Sequence, residues 1–181
     1  MSAVARFKAQ ETYLGYMFDG EITIGGNDVP LIRDGDHIYV SGQIPRVGDT
    51  VVVTGAAGAE TTLEQARQAA KICVMRALAL LQRSLGSLDH IKLVPRITVY
   101  VQFAAGFTRQ SEVADDASED LFAVLGQARA YANLGWRDSI AEKCDGGTRP
   151  RCRGFIAANT ISGEAFRAKL AVKQRRMAIY D

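Results

Sequence analysis

Between Val29 and Pro45 apolar and polar positions alternate as in strands, and Asp34-Gly35-Asp36 supplies turn chemistry between Leu31-Ile32-Arg33 and His37-Ile38-Tyr39-Val40. This pattern predicts a β-hairpin. A second turn at Gly48-Asp49 leads into Thr50-Val51-Val52-Val53-Thr54, whose β-branched side chains favour a pleated, half-buried surface and predict a third strand. The period then changes. Leu63, Ala66, Ala70, Cys73, Ala77, Leu80 and Leu81 recur at helical spacing, with Glu64, Arg67, Lys71 and Arg83 mainly off that face. Thr61 and Glu64 have the spacing of a capping box, so a helix is expected from Thr61 or Thr62 to about Leu85, ended by Gly86. Arg96 to Phe103 alternates again, with Ile97, Val99, Val101 and Phe103 on one side, and reads as a strand. A second helix is expected from Ser111 to Gly126, its apolar stripe made by Val113, Ala114, Ala117, Leu121, Phe122 and Leu125.

The order, two or three strands followed by helix, strand and helix, predicts an α+β layer with two helices on one face of a sheet. Such a sheet calls for a further strand after the second helix, to close its edge. Asn133 to Asp181 holds Gly146-Gly147, Arg149-Pro150-Arg151 and mixed polar runs, which is poor material for a central strand. The closing strand is therefore expected to be missing or replaced.

At 181 residues and 48% apolar content the chain can bury a proper core as one domain with additions. Its net charge of +2 conceals a division: through Ala132 there are 12 Lys and Arg against 15 Asp and Glu, and beyond it 10 against 5. No apolar run approaches the roughly 20 residues that span a bilayer, and Met1 to Gln10 lacks the apolar stretch of a signal peptide, so a cytoplasmic protein is expected. Cys73, Cys144 and Cys152 are too scattered for a disulfide framework, and with only His37 and His90 to assist them no structural zinc or other cofactor is expected.

Three strings carry a resemblance: Tyr39-Val40-Ser41-Gly42-Gln43-Ile44-Pro45, then Thr62-Leu63-Glu64-Gln65-Ala66-Arg67-Gln68-Ala69, then Ser87-Leu88-Asp89-His90-Ile91 leading into Thr98-Val99-Tyr100-Val101. In that order and spacing they resemble the RidA/YjgF (reactive intermediate deaminase) family, especially its longer subgroup, over roughly Gly25 to Ala132. The resemblance implies a chorismate-mutase-like α+β fold, a homotrimer with ligand clefts between subunits, and hydrolysis of enamine and imine intermediates to 2-keto acids and ammonia without a cofactor. Other members are described as endoribonucleases or have no known activity, and the alternative readings of this chain are a non-catalytic trimeric small-molecule-binding or regulatory protein and an endoribonuclease-type member. The implied organisation is an N-terminal extension over 1–24, a RidA-like domain over 25–132 and a basic tail over 133–181.

By the same resemblance Ser41, Gly42 and Gln43 line the substrate cleft, with strand packing at an interface as the other reading of Ser41 and Gly42. Asp28 stands where the subgroup has Tyr and Asp115 where it has Asn, and both add negative charge beside a cleft that should hold a carboxylate. The family closes its sheet with R-[ST]-x-V-x-V-x-x-L-P-x-x-A-x-V-E-[IL], whose Arg binds that carboxylate and whose Glu handles water. Nothing from Asn133 onward matches it, so the catalytic residues are unassigned and activity is expected to be impaired. Arg109 and Arg129 flank the second helix, where a solvated helix end competes with replacement of the lost Arg. Cys73 lies on an apolar helix stripe and reads as a small hydrophobe. The basic tail lacks interleaved aromatics for a stacking platform, so nucleic acid is not the expected partner, and the resemblance implies a small-molecule substrate, with no membrane partner.

The genetic code adds one observation. Ala132 to Asp138 can be encoded as GCG AAC CTC GGT TGG CGT GAC, which read from its second base gives R-T-S-V-G-V, and permitted codons through Arg151 continue it as T-R-L-P-K-N-A-T-V-E-L-D-P. The shifted frame spells the absent family segment. A frameshift near the codons for Ala132 and Asn133 is therefore expected.

Overall fold

A computed structural model describes residues 1–22 and 29–126 in full and, as backbone strands, 131–135 and 155–162. The predicted hairpin forms from β1 (Leu31–Asp34) and β2 (His37–Val40), paired from Leu31↔Val40 to Asp34↔His37. The turn needs Gly35, whose φ of 57° lies in the left-handed region. Along β2 Ile38 and Val40 are buried while His37 and Tyr39 face out, the alternation of a sheet with one covered face.

A short ribbon, β3 (Arg46–Val47) with β4 (Thr50–Val51), turns through Gly48. The expected third strand thus stops at Val51 instead of Thr54, with Val52 N–H still donating to the Pro45 carbonyl at 2.9 Å before the chain bends at Gly55 toward the long helix. That helix, α2 (Leu63–Leu85), ends at Gly86 with φ 80°. Its capping box is made by Thr62 and Gln65, not Thr61 and Glu64: Gln65 N–H donates to the Thr62 hydroxyl at 3.2 Å and Thr62 N–H to Gln65 Oε1 at 2.9 Å. Thr61 is committed elsewhere, its hydroxyl donating to the Thr54 carbonyl at 2.8 Å.

After a single 3-10 turn (Leu88–His90), β5 (Leu93–Tyr100) begins and ends about a turn earlier than the alternation suggested, with Val94, Ile97 and Val99 essentially fully buried. Helix α3 (Gln110–Leu125) follows, capped by Gly126. Phe122 is not part of its inner stripe, being 63% exposed, whereas Asp116 and Asp120 are buried at 2%. Ion pairs explain the exchange: Arg67 and Lys71 on α2 reach across to Asp116, Lys71 at 3.1 Å.

The strands β6 (Tyr131–Gly135) and β7 (Phe155–Ser162) complete a five-stranded sheet in the order β1-β2-β7-β5-β6. β7 lies antiparallel between β2 and β5, and β6 runs parallel to β5 along Arg96↔Tyr131 to Tyr100↔Gly135. The closing positions are thus replaced by chain that does not match the family segment. Phe155-Ile156-Ala157-Ala158 and Ile161 give β7 enough apolar and β-branched character for a central strand, which the surrounding arginines and glycines concealed in the sequence.

An additional helix, α1 (Ala3–Leu14), packs its Ala3 and Phe7 into the core and ends at Gly15, φ 73°. Arg6 Nε donates to the Val124 carbonyl at 2.7 Å, and Ala3 N–H to Asp89 Oδ1 at 2.7 Å, so the extension is tied to α3 and to the turn before β5. No helix among the described residues is long and apolar enough to cross a membrane.

Candidate functional site

Small residues at i, i+3, i+4 and i+7 on one helix share a face. On α2 these are Ala66, Ala69, Ala70 and Cys73, and where larger side chains would have packed against the end of β5 they leave a small cleft of about 50 Å³, open to solvent. Val99, Tyr100, Val101 and Gln102 form one wall and Val113 of α3 closes an end. The opposite wall is the connection from β4 to α2, through Val53, Gly55, Ala57 and Thr61.

That connection is clipped to the strand end. Ala57 N–H donates to the Gln102 carbonyl at 3.0 Å, and Ala104 N–H to the Ala57 carbonyl at 2.9 Å. Gly55 has φ 106°, and a Cβ there would sit 2.6 Å from the Glu60 Cβ, so the wall admits no other residue without movement. Gly58, φ 85°, lies against Phe107, whose ring centroid is 6.4 Å from that of Phe103.

Among the described lining residues there is no carboxylate, amine, imidazole or guanidine. The Cys73 thiol, 2% exposed, is pushed far above its ordinary value by burial, which the nearby Arg76 only partly offsets. It is a neutral wall group, as its place on the helix stripe implied.

Of the string Tyr39 to Pro45 only Pro45 lines the cleft, whereas the other two family-like strings contribute Ala66, Ala69, Val99, Tyr100 and Val101. Ser41, half-buried, directs both its N–H and its hydroxyl to the Pro30 carbonyl, each at 3.0 Å. Gln43 is 1% exposed; its Nε2 donates to the Ser41 carbonyl at 2.9 Å and its Oε1 accepts from Arg76 Nε at 3.3 Å. Arg76, itself 3% exposed, also donates through Nη1 to the Arg46 carbonyl at 2.9 Å. Burial draws the Arg76 guanidinium below its usual value. Gly42 lies between Ser41 and Gln43, half-buried. The structure therefore joins Ser41, Gly42 and Gln43 in one held segment and keeps them apart from the cleft walls.

Asp115 is exposed on α3 and does not line the cleft, whereas Asp28 lies outside the described residues. Arg109 makes a two-pronged ion pair with Glu112, at 2.5 and 2.7 Å, which is the helix-end role; Arg129 is outside the described residues. His90 Nδ1 contacts the Leu85 carbonyl at 3.1 Å and His37 is exposed, and no group of ligating side chains among the described residues could hold a metal.

Two features escaped the sequence. One is the Gln43–Arg76 pair, for which an Arg inside the α2 apolar stripe was the available signal. The other is the layer of Lys71, Arg67, Asp116 and Asp120 between α2 and α3, foreshadowed by two Asp four residues apart within an otherwise apolar stripe. Burial chiefly pushes the Asp120 carboxyl up to about 6, with Lys71 pulling the other way and Asp116 adding to the rise.

No family model matches the chain. Protein TCP17 of Trypanosoma cruzi is 33% identical over 129 residues, which cover 70% of this chain and 81% of that protein. The chain belongs to the same family as that protein. The fold is shared more widely: a candidate endoribonuclease from Shewanella oneidensis superposes with a TM-score of 0.74 at 20% identity, over 90% of this chain and 99% of the other. YyfA of Yersinia pestis, a member of the conserved Rid protein family of unknown function, superposes with a TM-score of 0.51 at 17% identity, over 82% and 95%. The RidA-like fold expected from Tyr39 to Pro45 and its companion strings is thus the fold of this chain. In this RidA-like chain the described cleft lining is uncharged, its polar side chains being Thr61, Tyr100 and Gln102.

Proposed function

We propose that this RidA-like chain descends from proteins that hydrolyse reactive imine and enamine intermediates to 2-keto acids and ammonia, that its own hydrolysis is impaired, and that it retains a small-molecule cleft. One observation carries the impairment. The described cleft lining offers no charged group to hold a substrate carboxylate and no group titrating near neutrality to move a proton, the two things this chemistry needs at the reacting carbon. The absence of the family's Arg-containing segment from the sequence supports the same reading.

Ser41, Gly42 and Gln43 are proposed to border the ligand site in an assembly of three copies, where a neighbour's residues would extend it. Asp28 and Asp115 would then weaken the binding of anions. The protein is proposed to act in the cytoplasm, with no cofactor and no nucleic-acid partner.

The test is ammonia release from freshly generated 2-imino acids, compared with buffer. The expected result is a small acceleration. A rate enhancement on the enzyme scale, ~10⁶-fold or more, would overturn the impairment. Complete inactivity together with saturable ligand binding would favour the second reading, a non-catalytic binding or regulatory protein, for which the uncharged cleft also speaks. Salt-sensitive retention on immobilised RNA would contradict both.

A further inference from the structure

Helix α1 is tied to the rest of the chain near both ends. Arg6 Nε donates to the Val124 carbonyl at 2.7 Å, and beyond Gly15 the Phe18 N–H donates to Glu11 Oε1 at 2.7 Å. Between these ties Gln10 reaches α3, its Nε2 donating to Asp120 Oδ1 at 2.8 Å, so the helix lies on this carboxylate and is part of what covers it. The cover is nearly complete, with Asp120 2% exposed, yet the compensation beneath it is not. Lys71 of α2 stands 3.9 Å from Asp120 Oδ1 but 3.1 Å from Asp116, and Arg67 is bonded to Asp116 and Glu64. From α1 come the Tyr13 ring, 5.7 Å from the Lys71 nitrogen, and the neutral Gln10 amide, while the buried acid Glu11 is turned to Phe18. From α3 the exposed Glu119 adds a further negative charge. Among the described residues two cations thus meet Glu64, Asp116 and Asp120, and Asp120 Oδ2 has no hydrogen-bond partner.

We propose that α1 is a strap whose grip on α3 is set by the charge on Asp120: it lies closed while the carboxyl is neutral, and its turns around Gln10 lift away once the carboxylate ionises and draws water. A buried carboxylate with one distant cation and an unpartnered oxygen is costly as an ion, and far less so as a neutral acid. Lifting gives the ion its hydration, whereas the neutral form gains little by it. Burial is accordingly the main reason that the Asp120 carboxyl is pushed up to about 6 in the closed state. The sign follows from that direction: the closed state holds the proton more tightly, so the strap grips fully below the ordinary value of 3.8 and loosens as pH rises through about 6. The ties at Arg6 and Glu11 limit the motion to a local opening that leaves the core intact. The inference is independent of the reading of the cleft and of any hydrolysis there.

Amide hydrogen exchange of the full chain, expressed as protection relative to the unfolded rate, tests the strap. Protection of the amides from Gln10 to Leu14 should fall ~10-fold between pH 5 and pH 7.5. At pH 7.5 these amides should also exchange ~10-fold or more faster than the α2 amides from Ile72 to Leu81, and low urea should accelerate α2 exchange while hardly changing theirs, the mark of an opening that exposes little surface. Asp120→Asn, which keeps the shape and an acceptor for Gln10, should abolish the pH step. Gln10→Ala serves as a second variant and should lower α1 protection several-fold at pH 5 without changing that of α2. The proposal is overturned by α1 protection and urea sensitivity equal to those of α2, by α1 protection that does not change with pH, by a pH step that survives in Asp120→Asn, or by unchanged α1 protection in Gln10→Ala.

Discussion

Gln10 Nε2 donates a hydrogen bond to Asp120 Oδ1 at 2.8 Å, joining α1 to α3 across 110 positions of sequence. Asp120 is 2% exposed and its Oδ2 has no hydrogen-bond partner among the described residues. Lys71 lies 3.9 Å from Oδ1, and Lys71 itself stands over the Tyr13 ring at 5.7 Å, so one carboxylate ties three helices together while only partly compensated.

This incomplete compensation gives the fold a pH dependence. The Asp120 carboxyl titrates at about 6 in the folded chain against an ordinary value of 3.8, so the folded state holds the proton more tightly than the unfolded one. The contribution of Asp120 is therefore fully present below pH 3.8 and is lost as pH rises through about 6. Arg67, Asp116 and Glu119 are the remaining charged neighbours. Asp120→Asn removes the titration. Its stability relative to the parent should be about 1 kcal/mol more favourable at pH 7.5 than at pH 5, as measured by urea unfolding at the two pH values. A relative stability that does not change with pH would show that Asp120 is charged at both.

The core elements were legible because each has one dominant period. The hairpin, α2, β5 and α3 all stand within a few residues of where alternation or helical spacing put them, and the left-handed Gly35, Gly48 and Gly86 fall where turn and cap residues were read. What the pattern missed was set by contacts distant in sequence. Phe122 belongs to the apolar spacing of α3 but lost its inner place to Asp116 and Asp120, which only the approach of Lys71 and Arg67 makes tolerable. Helix α1 has a weak apolar stripe and takes its order from Arg6, Gln10 and Glu11, polar residues whose partners cannot be read locally. The cleft was missed for another reason: alanine and cysteine positions on α2 predict burial, and empty space beside them is a property of the opposite wall.

Gln43 predicts a second measurable effect. Arg76 is buried and relies on Gln43 Oε1 as one of its acceptors, while the amide nitrogen of Gln43 holds the Ser41 carbonyl. Gln43→Leu leaves that guanidinium with an acceptor removed, and a hydrogen bond to a charged group contributes about 1.5–3 kcal/mol. A loss of that size is expected in urea unfolding. Gln43→Glu keeps an acceptor beside Arg76 and should lose less, whereas equal losses in the two variants would mean that the Ser41 contact is the important one.

Glycines of similar backbone sign should respond differently to substitution. Gly55 at φ 106° and Gly35 at φ 57° both disfavour a side chain, but a Cβ at Gly55 meets Glu60 at 2.6 Å and one at Gly35 meets nothing within 4 Å. Gly35→Ala should cost about 1–2 kcal/mol from backbone strain alone. Gly55→Ala adds the displacement of Glu60, whose carboxylate accepts the Ala56 N–H at 2.9 Å, and should cost more. Thermal unfolding of the two variants side by side gives the order, and a Gly55 variant no less stable than the Gly35 variant would show that the wall yields easily.

The final prediction concerns the chain after α3. The shifted text R-T-S-V-G-V begins within the codon for Ala132, and Ala132 lies in β6, paired with Ile97 of β5. The frame in hand and the shifted frame thus place a strand at the same point of the chain, which is what a sheet edge beside β5 demands after the second helix. They differ in chemistry: the shifted frame puts an Arg at the start of that strand and a Glu in the segment that follows, where this chain has Ala132 and Asn133 and then a basic run. Chance agreement is a weak explanation, because freedom at one base of each codon would have to spell Arg, Leu-Pro and Val-Glu at family spacing over about 19 residues. Sequencing the source gene across the codons for Leu125 to Asp145 should therefore reveal a one-base difference that restores R-T-S-V-G-V. A chain translated from the restored frame should release ammonia from 2-imino acids much faster than this one, since it regains a guanidinium for the substrate carboxylate. Confirmation of the present frame would instead establish β6 and β7 as a true replacement of the family's closing strands, and with it the loss of that carboxylate site.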